Sequence, residues 1–446
     1  MTDNGRRGAL ILGLGGAALT VALIRFAVHV TTFDFAARMF DLGIYRDGGL
    51  IVRHAYHFRS GRPTPLYDWV SPGGGNPFTY PPFAAGIFAI LSYLPLGVLQ
   101  WAMTLASIAA LVAVAWLTLT GSGLPRGRSA AGLALGVAAV ALWTQPVQSN
   151  LSLGQVNVLL MVAIIADLRP AADRRRWAGL ATGIAAGIKL TPLIFILYLL
   201  VTRRYRQAAV AASAFAATIA MALAPLPGAS VMYWDGGLFA RANGSARANL
   251  TFYFASAWNQ SLRGALSRLL LHAQLATGPW LLAAAVTALA GLMAAAWLHG
   301  DGYPMLGVLT CALTGLLISP VSWLHHWVWV APWLAALTAL AIQAHGTARR
   351  AWAVVIGLVA LAFADLPRLP LLTFGGHGLD PVTDVPMKHP LTWQGIDLIL
   401  GNCYVLAGLA GIFALFGWGV VRAYRPALLR GAVEPAFGDS ATDALT

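Results

Sequence analysis

The sequence predicts an all-α, polytopic membrane protein, and three observations carry that reading. Hydrophobic residues make up 58% of the 446-residue chain and charged residues only 10%, where soluble domains carry about 25% charge. Apolar runs of roughly 20 residues, one bilayer crossing each, recur between Gly8 and Val420. These runs are continuous Ala/Leu/Val/Gly segments rather than short alternating strands, so the spans are helices and not a barrel. Soluble globular and disordered classes are excluded by the same composition.

The charges are skewed in kind. There are 29 basic and 16 acidic residues. Lys189 and Lys388 are the lysines, and Glu434 is the one glutamate, so carboxylate chemistry in the body of the chain falls to aspartate. The arginines sit in short loops, where they read as topology signals facing anionic lipid and not as a nucleic-acid patch. Cys311 and Cys403 both lie in apolar segments, and neither a disulfide framework nor a CxxC metal pattern exists.

Arg6 and Arg7 precede the first apolar run, Gly8 to Val30. A cleaved signal peptide also begins this way, but the run is longer than a signal core and no small-x-small site follows, which favours an uncleaved first span with a cytoplasmic N-terminus. Further arginine clusters at 126–128, 169–176, 203–206, 349–350 and 422–430 mark inner loops. Between them spans are expected near 98–120, 130–145, 154–168, 207–225, 279–298, 305–319, 327–344, 351–366 and 397–420. Residues 83–95 are short for a crossing, and residues 178–201 break at Gly187-Ile188-Lys189-Leu190-Thr191-Pro192, which reads as a hairpin of two half-length helices. The expectation is about 10 to 13 membrane segments, forming one domain over residues 1–430, with 431–446 a disordered cytoplasmic tail.

This topology places most of the unusual polar sequence outside, in residues 32–82, 145–153, 227–278, 320–326 and 367–396. One elaborated face points to chemistry at that face. A transporter or flippase would need charged residues lining a path to both sides, and no internal repeat supports an inverted-repeat transporter.

Asp41 follows an apolar segment directly, at the membrane surface, where a partly buried carboxylate can be raised into the range of a base. Tyr45 lies one helical turn on. An aspartate capping an interfacial helix is the structural alternative. Asp47 has the same chemistry without further support. Tyr80 stands in Asn76-Pro77-Phe78-Thr79-Tyr80-Pro81-Pro82-Phe83, where an interfacial belt residue would also fit. Lys189 is the one lysine within the apolar body, costly at membrane depth and suited, with Thr191, to a phosphate at the bilayer surface; snorkelling is its structural alternative. Asn259, Gln260 and Ser261 make a dense hydrogen-bonding cluster, and Arg263 can fork onto phosphate; the same residues suit a capped helix start. Gln155 and Asn157 follow Gly154 at another outer helix entrance. His325 and His326 lie about 100° apart on a helix, so one faces the site and the other the packing. Adjacent histidines do not have the spacing of a helical metal pair, and no Asp-x-Asp or HExxH pattern calls for a divalent ion.

Taken together these segments resemble one family. Phe-Asp-Leu-x-x-Tyr (40–45), Pro-Phe-Thr-Tyr-Pro-Pro-Phe-Ala-Ala (77–85), Gly-Gln-Val-Asn-Val-Leu-Leu-Met (154–161), Gly-Ile-Lys-Leu-Thr-Pro (187–192), Trp-Asn-Gln-Ser-Leu-Arg-Gly-Ala-Leu-Ser-Arg (258–268) and Ser-Pro-Val-Ser-Trp-Leu-His-His-Trp-Val-Trp (319–329) look like the polyprenol-phosphate-mannose-dependent α-1,2-mannosyltransferases of the GT-C class, the PimE-like group of actinobacteria. The resemblance spans residues 33–335 and is weak at 227–250. It implies a GT-C enzyme of the plasma membrane, working on the extracytoplasmic side without a cofactor. Its donor would be polyprenyl phosphate mannose and its acceptor a mannosylated phosphatidylinositol or lipomannan-type glycolipid. The implied mechanism is inverting displacement: Asp41, with a histidine of the His325/His326 pair, takes the proton of the acceptor 2-hydroxyl. Lys189, Arg263 and the other histidine offset charge on the departing phosphate, and Tyr45, Tyr80, Gln155, Asn157, Thr191, Asn259 and Gln260 line the substrate site. An arabinofuranosyltransferase using decaprenyl-phosphoryl-arabinose is the nearest alternative in the same class.

Overall fold

The computed structural model describes residues 3–32, 39–53, 65–69, 77–172, 175–236, 254–270, 276–364 and 394–431. Most of the outer stretch 367–396, the middle of 227–278 and the tail beyond 431 lie outside them. Among the described residues the only strand pairings are two isolated bridges, Thr144 with Ala364 and Asn259 with Trp323. The rest is helix and turn, an all-α multi-pass membrane protein as expected.

The helices are α1 (Asp3–Thr32), α2 (Phe40–Val52), α3 (Pro82–Leu91), α4 (Leu96–Gly121), α5 (Arg128–Ala141), α6 (Gln145–Leu153), α7 (Asn157–Leu168), α8 (Leu180–Ile188), α9 (Ile194–Val201), α10 (Tyr205–Leu223), α11 (Pro227–Trp234), α12 (Leu262–Leu269), α13 (Thr277–Gly300), α14 (Pro304–Ile318), α15 (Val330–Gln343), α16 (Gly346–Ala362), α17 (Ile396–Leu400) and α18 (Cys403–Gly431). Among the described residues six stretches are long and apolar enough to cross a bilayer, Gly5–Val28, Leu96–Gly121, Tyr205–Leu223, Thr277–Gly300, Leu324–Gln343 and Cys403–Arg422, and the bent pair Gln145–Leu153 and Asn157–Leu168 makes a seventh if it counts as one span. Pro82–Leu91, Arg128–Ala141, Thr191–Val201 and Pro304–Ile318 are shorter apolar helices.

Their outward faces keep the bilayer as solvent. Leu281, Leu282, Val286 and Leu289 of α13 are exposed, and α16 has no buried residue at all, arrangements that water would not tolerate but lipid favours. Helices approach one another through small residues, since lipid supplies no hydrophobic drive for association. Where α1 crosses α5, a Cβ added to Gly15 would lie 2.0 Å from the Gly132 carbonyl oxygen.

Two irregular places position the functional residues. Residues 145–153, expected as an outer loop, form α6, and α6 and α7 meet at 116°. The helix forms because Pro146 pre-sets its first turn while Val147 and Leu151, one turn apart, bury one face. Gly154 ends it at φ 67°, a left-handed conformation that glycine adopts without strain; a Cβ there would also meet the Leu42 Cβ at 2.7 Å. The second place is the expected break at 187–192. α8 stops at Ile188, Lys189 is extended (φ −147°, ψ 130°), and a 3₁₀ turn at Thr191–Leu193 leads into α9. Asp167 of α7 anchors the start of α8: its carboxylate accepts from the Gly179 and Thr182 amides, both at 2.9 Å, and from the Thr182 hydroxyl at 2.8 Å. That satisfies donors a helix N-terminus leaves open and places negative charge at the positive end of the dipole.

Candidate active site

Four separate parts of the chain converge on the α6–α7 bend. Asp41 and Tyr45 come from the first two turns of α2, which opens at Met39, whose carbonyl accepts from the Gly43 amide at 3.0 Å. Asp41 makes no capping bond. Its Oδ2 instead accepts from Gln155 Nε2 at 2.6 Å. The Tyr45 ring is buried, stacked on Phe88 of α3 at 4.5 Å and edge-on to Tyr80 at 4.9 Å. The two phenol oxygens are 2.6 Å apart, and Gln155 Oε1 accepts from Tyr45 at 2.8 Å and from Tyr80 at 3.1 Å. The Tyr67 hydroxyl holds the Tyr80 carbonyl at 2.8 Å.

On the other side of the bend, Asn157 donates to the His325 carbonyl at 3.0 Å and accepts from Lys189 Nζ at 2.8 Å. Lys189 also lies 3.2 Å from His326 Nε2 and donates to Tyr80 Oη at 3.4 Å. Its ammonium is thus surrounded by neutral dipoles and a phenol face rather than paired with a carboxylate, and it does not snorkel away. The histidines sit on a 3₁₀ helix, Leu324–Trp329. His326 turns to Lys189. His325 packs edge-on behind it, ring centroids 4.8 Å apart, and neither of its buried ring nitrogens has a hydrogen-bond partner among the described residues.

Burial raises the Asp41 carboxyl above the ordinary carboxylate range, and the Gln155 hydrogen bond and then the Lys189 charge oppose that rise. A carboxylate so balanced is suited to accept a proton.

Beside this cluster lies a small groove. Asn157, Thr191, Ser322 and His326 stand along its polar part, and Leu160, Met161, Ile164, Phe195, Leu316 and Trp329 along its apolar part. A mostly apolar lining with a few polar groups suits an amphiphile with an anionic head.

The remaining expected residues are placed elsewhere. Asn259 and Gln260 are fully buried and stitch backbone to backbone. Asn259 Oδ1 accepts from the Ser322 amide at 2.9 Å and its Nδ2 donates to the Phe254 and Pro320 carbonyls, both at 3.2 Å. Gln260 Nε2 donates to the Ala257 and Gly401 carbonyls. Ser261 caps α12 by accepting from the Gly264 amide at 3.1 Å. Arg263 stacks over Phe254 at 3.5 Å and Trp280 at 5.0 Å. So the 258–264 segment forms the capped helix start, and through Ser322 it supports the strand of chain leading to the histidines. Arg268, not singled out by sequence, locks this strap: buried to 1% exposure, it donates to the Ser256 carbonyl at 2.6 Å, the Asn259 carbonyl at 3.1 Å and Asn402 Oδ1 at 2.6 Å. Among the described residues no three His, Cys, Asp or Glu side chains gather as a metal site.

A multi-pass helical protein that gathers a carboxylate, an ammonium and an imidazole beside a largely apolar groove has the build of a membrane enzyme acting on lipid-borne substrates. Residues 78–320 match glycosyltransferase family 87. The chain is 34% identical over 356 residues to the polyprenol-phosphate-mannose-dependent α-(1-2)-phosphatidylinositol pentamannoside mannosyltransferase of Mycolicibacterium smegmatis, covering 78% of this chain and 81% of that protein. It is 34% identical over 387 residues to the Mycobacterium tuberculosis protein of the same description (84% and 81%). With the polyprenol-phosphate-mannose-dependent α-(1-2)-phosphatidylinositol mannoside mannosyltransferase of M. tuberculosis it shares 32% over 388 residues (83% of each). No solved structure matches it significantly. The chain belongs to glycosyltransferase family 87 and is an integral-membrane glycosyltransferase, as its motifs led one to expect.

Proposed function

We propose that this glycosyltransferase moves mannose from polyprenyl phosphate mannose to the 2-hydroxyl of a mannose on a phosphatidylinositol mannoside, forming an α-1,2 linkage on the extracytoplasmic side of the plasma membrane. The observation that carries the reading is the Lys189 ammonium, 2.8 Å from Asn157 and 3.2 Å from His326, two residues that line the largely apolar groove. The donor phosphate sits at Lys189, Asn157, His326 and Thr191, and the prenyl chain follows the groove past Leu160, Ile164 and Phe195. The acceptor lies on the Asp41 side. Its 2-hydroxyl loses a proton to Asp41, its oxygen attacks the anomeric carbon from the face opposite the phosphate, and the phosphate leaves with its bonding electrons toward Lys189 and His326. A β-linked donor thereby gives an α product.

Relatives named for pentamannoside and for mannoside acceptors are similarly close to this chain, so the acceptor is proposed at the level they share. Their names favour mannose over arabinose. The outward orientation rests on the basic loops, which mark the inner face. The test uses the purified protein with polyprenyl phosphate mannose and polyprenyl phosphate arabinose offered in separate reactions on a mannosylated phosphatidylinositol. A product with one added hexose, removed by an α-1,2-specific mannosidase, is expected. Pentose addition would install the alternative.

A further inference from the structure

Both ends of the Gln155 amide are engaged inside the site, which leaves only one N–H of Nε2 open. Its carbonyl oxygen takes both phenols, with Asn157 Nδ2 a distant third at 3.5 Å, and its amide nitrogen takes Asp41. The reverse orientation of the amide would set its carbonyl 2.6 Å from a carboxylate oxygen, acceptor against acceptor. Its backbone is equally committed: Gln155 N donates to the Asn150 carbonyl at 3.0 Å, and Asn150 Nδ2 returns a bond to the Gln155 carbonyl at 3.2 Å. The side chain cannot swing toward a ligand without breaking four contacts at a bend fixed by Gly154.

The bonds also run in one direction. Lys189 only donates, and reaches Tyr80 Oη. Tyr80 can donate to Tyr45 Oη, 2.6 Å away, Tyr45 donates to Gln155 Oε1, and Gln155 donates to Asp41 Oδ2. An ammonium on the leaving-group side is thus joined to a carboxylate on the nucleophile side by donors all pointing the same way, and each bond polarises the next.

We propose that Gln155 is a positioning residue for the transfer: by occupying Oδ2 of Asp41 it makes Oδ1 the oxygen that receives the acceptor's proton. This rests on Asp41 being the base. No hydrogen bond to Oδ1 occurs among the described residues, and a carboxylate held by one oxygen on a rigid amide keeps the orientation that proton transfer needs. The titratable and charged groups around Asp41 are Tyr45, Arg46 and Asp47 on its own helix, Tyr80 from the segment before α3, Lys189 from the break at 187–192, and His326 behind Lys189. α3, α4 and α6, which pack on α2, bring no charged residue.

The experiment is the pH dependence of kcat/KM for mannosyl transfer by the full-length protein and its Gln155→Leu, Tyr45→Phe and Asp41→Asn variants. A hydrogen bond donated to a carboxylate favours the ionised form, and a base works ionised. Losing the bond therefore moves the acid limb of the profile to higher pH. Gln155→Leu is expected to show that displacement, with a kcat loss on the order of 10²-fold and an unchanged acceptor KM. Tyr45→Phe, which keeps the stack on Phe88, is expected to move the limb the same way by less. An acid limb that stays in place with a raised acceptor KM would make Gln155 a substrate contact and overturn the proposal. If Gln155→Leu does not fold, an unmoved limb in Tyr45→Phe overturns it equally. Turnover surviving in Asp41→Asn is a different failure: it removes the base, and the positioning role with it.

Discussion

Lys189 Nζ lies 3.2 Å from Nε2 of His326, across 137 residues of chain. An ammonium only donates, so this imidazole nitrogen accepts, and the ring proton of the neutral tautomer is on Nδ1. Without an anion between them, one member of the pair carries the charge. An arriving phosphate gives both a common partner.

The first prediction follows from that sharing. Lys189→Ala and His326→Ala should each weaken use of the lipid-phosphate donor strongly, and the double variant should lose little more than either single one, because residues that bind one group together are not additive. Lys189→Arg should keep part of the activity, since it keeps the charge but not the compact geometry. Donor KM and kcat for the four proteins check this. Fully additive losses would mean that the two residues act at separate places.

The second prediction concerns orientation. On the proposed orientation the segments around Gly75 and Gly376 lie outside, so single cysteines there should react with an impermeant thiol reagent on intact cells, in a background with Cys311 and Cys403 replaced. Labelling only after permeabilisation would reverse the topology and remove the outward-facing donor from the account.

The third prediction is of stability. Arg268 serves the Ser256 and Asn259 carbonyls and Asn402 Oδ1 in a site closed to water. A buried acceptor left without a donor costs about 1–3 kcal/mol, so Arg268→Met should unfold at a clearly lower temperature in detergent, while the exposed Arg349→Met should not. Equal melting of both would show that the strap is held by other means.

Parts of the scaffold and of the candidate site were legible in the sequence and parts were not, for a physical reason in each case. Lys189 was legible because a lone ammonium in an apolar body, beside Gly187 and Pro192, has few structural explanations. Asp41 and Tyr45 were legible through helical spacing, which α2 realises. Helix α6 was not: Gln145, Gln148, Ser149, Asn150 and Ser152 make its average polar, while its buried face, Pro146, Val147, Asn150 and Leu151, holds only two large aliphatic side chains, a stripe too narrow for a hydropathy window. Asn259 and Gln260 misled because an amide that grips a ligand and one that joins two backbones are the same residue. Asp167 and Arg268 left no local signal, since their partners stand in the Gly179–Thr182 turn and near Asn402, brought close only by the fold.

The proposed transfer turns on Asp41 as its base. Asp41→Asn keeps the size of the side chain and a side-chain oxygen for Gln155, so it separates the chemistry from the packing. A base that removes a proton in the transition state contributes about 10²–10⁴-fold in rate. The decisive measurement is transfer of labelled mannose from polyprenyl phosphate mannose to a mannosylated phosphatidylinositol by purified wild-type, Asp41→Asn and Asp47→Asn proteins of matched thermal stability. The account predicts a loss of that size for Asp41→Asn and near-normal turnover for Asp47→Asn. Substantial turnover by a folded Asp41→Asn protein would contradict it.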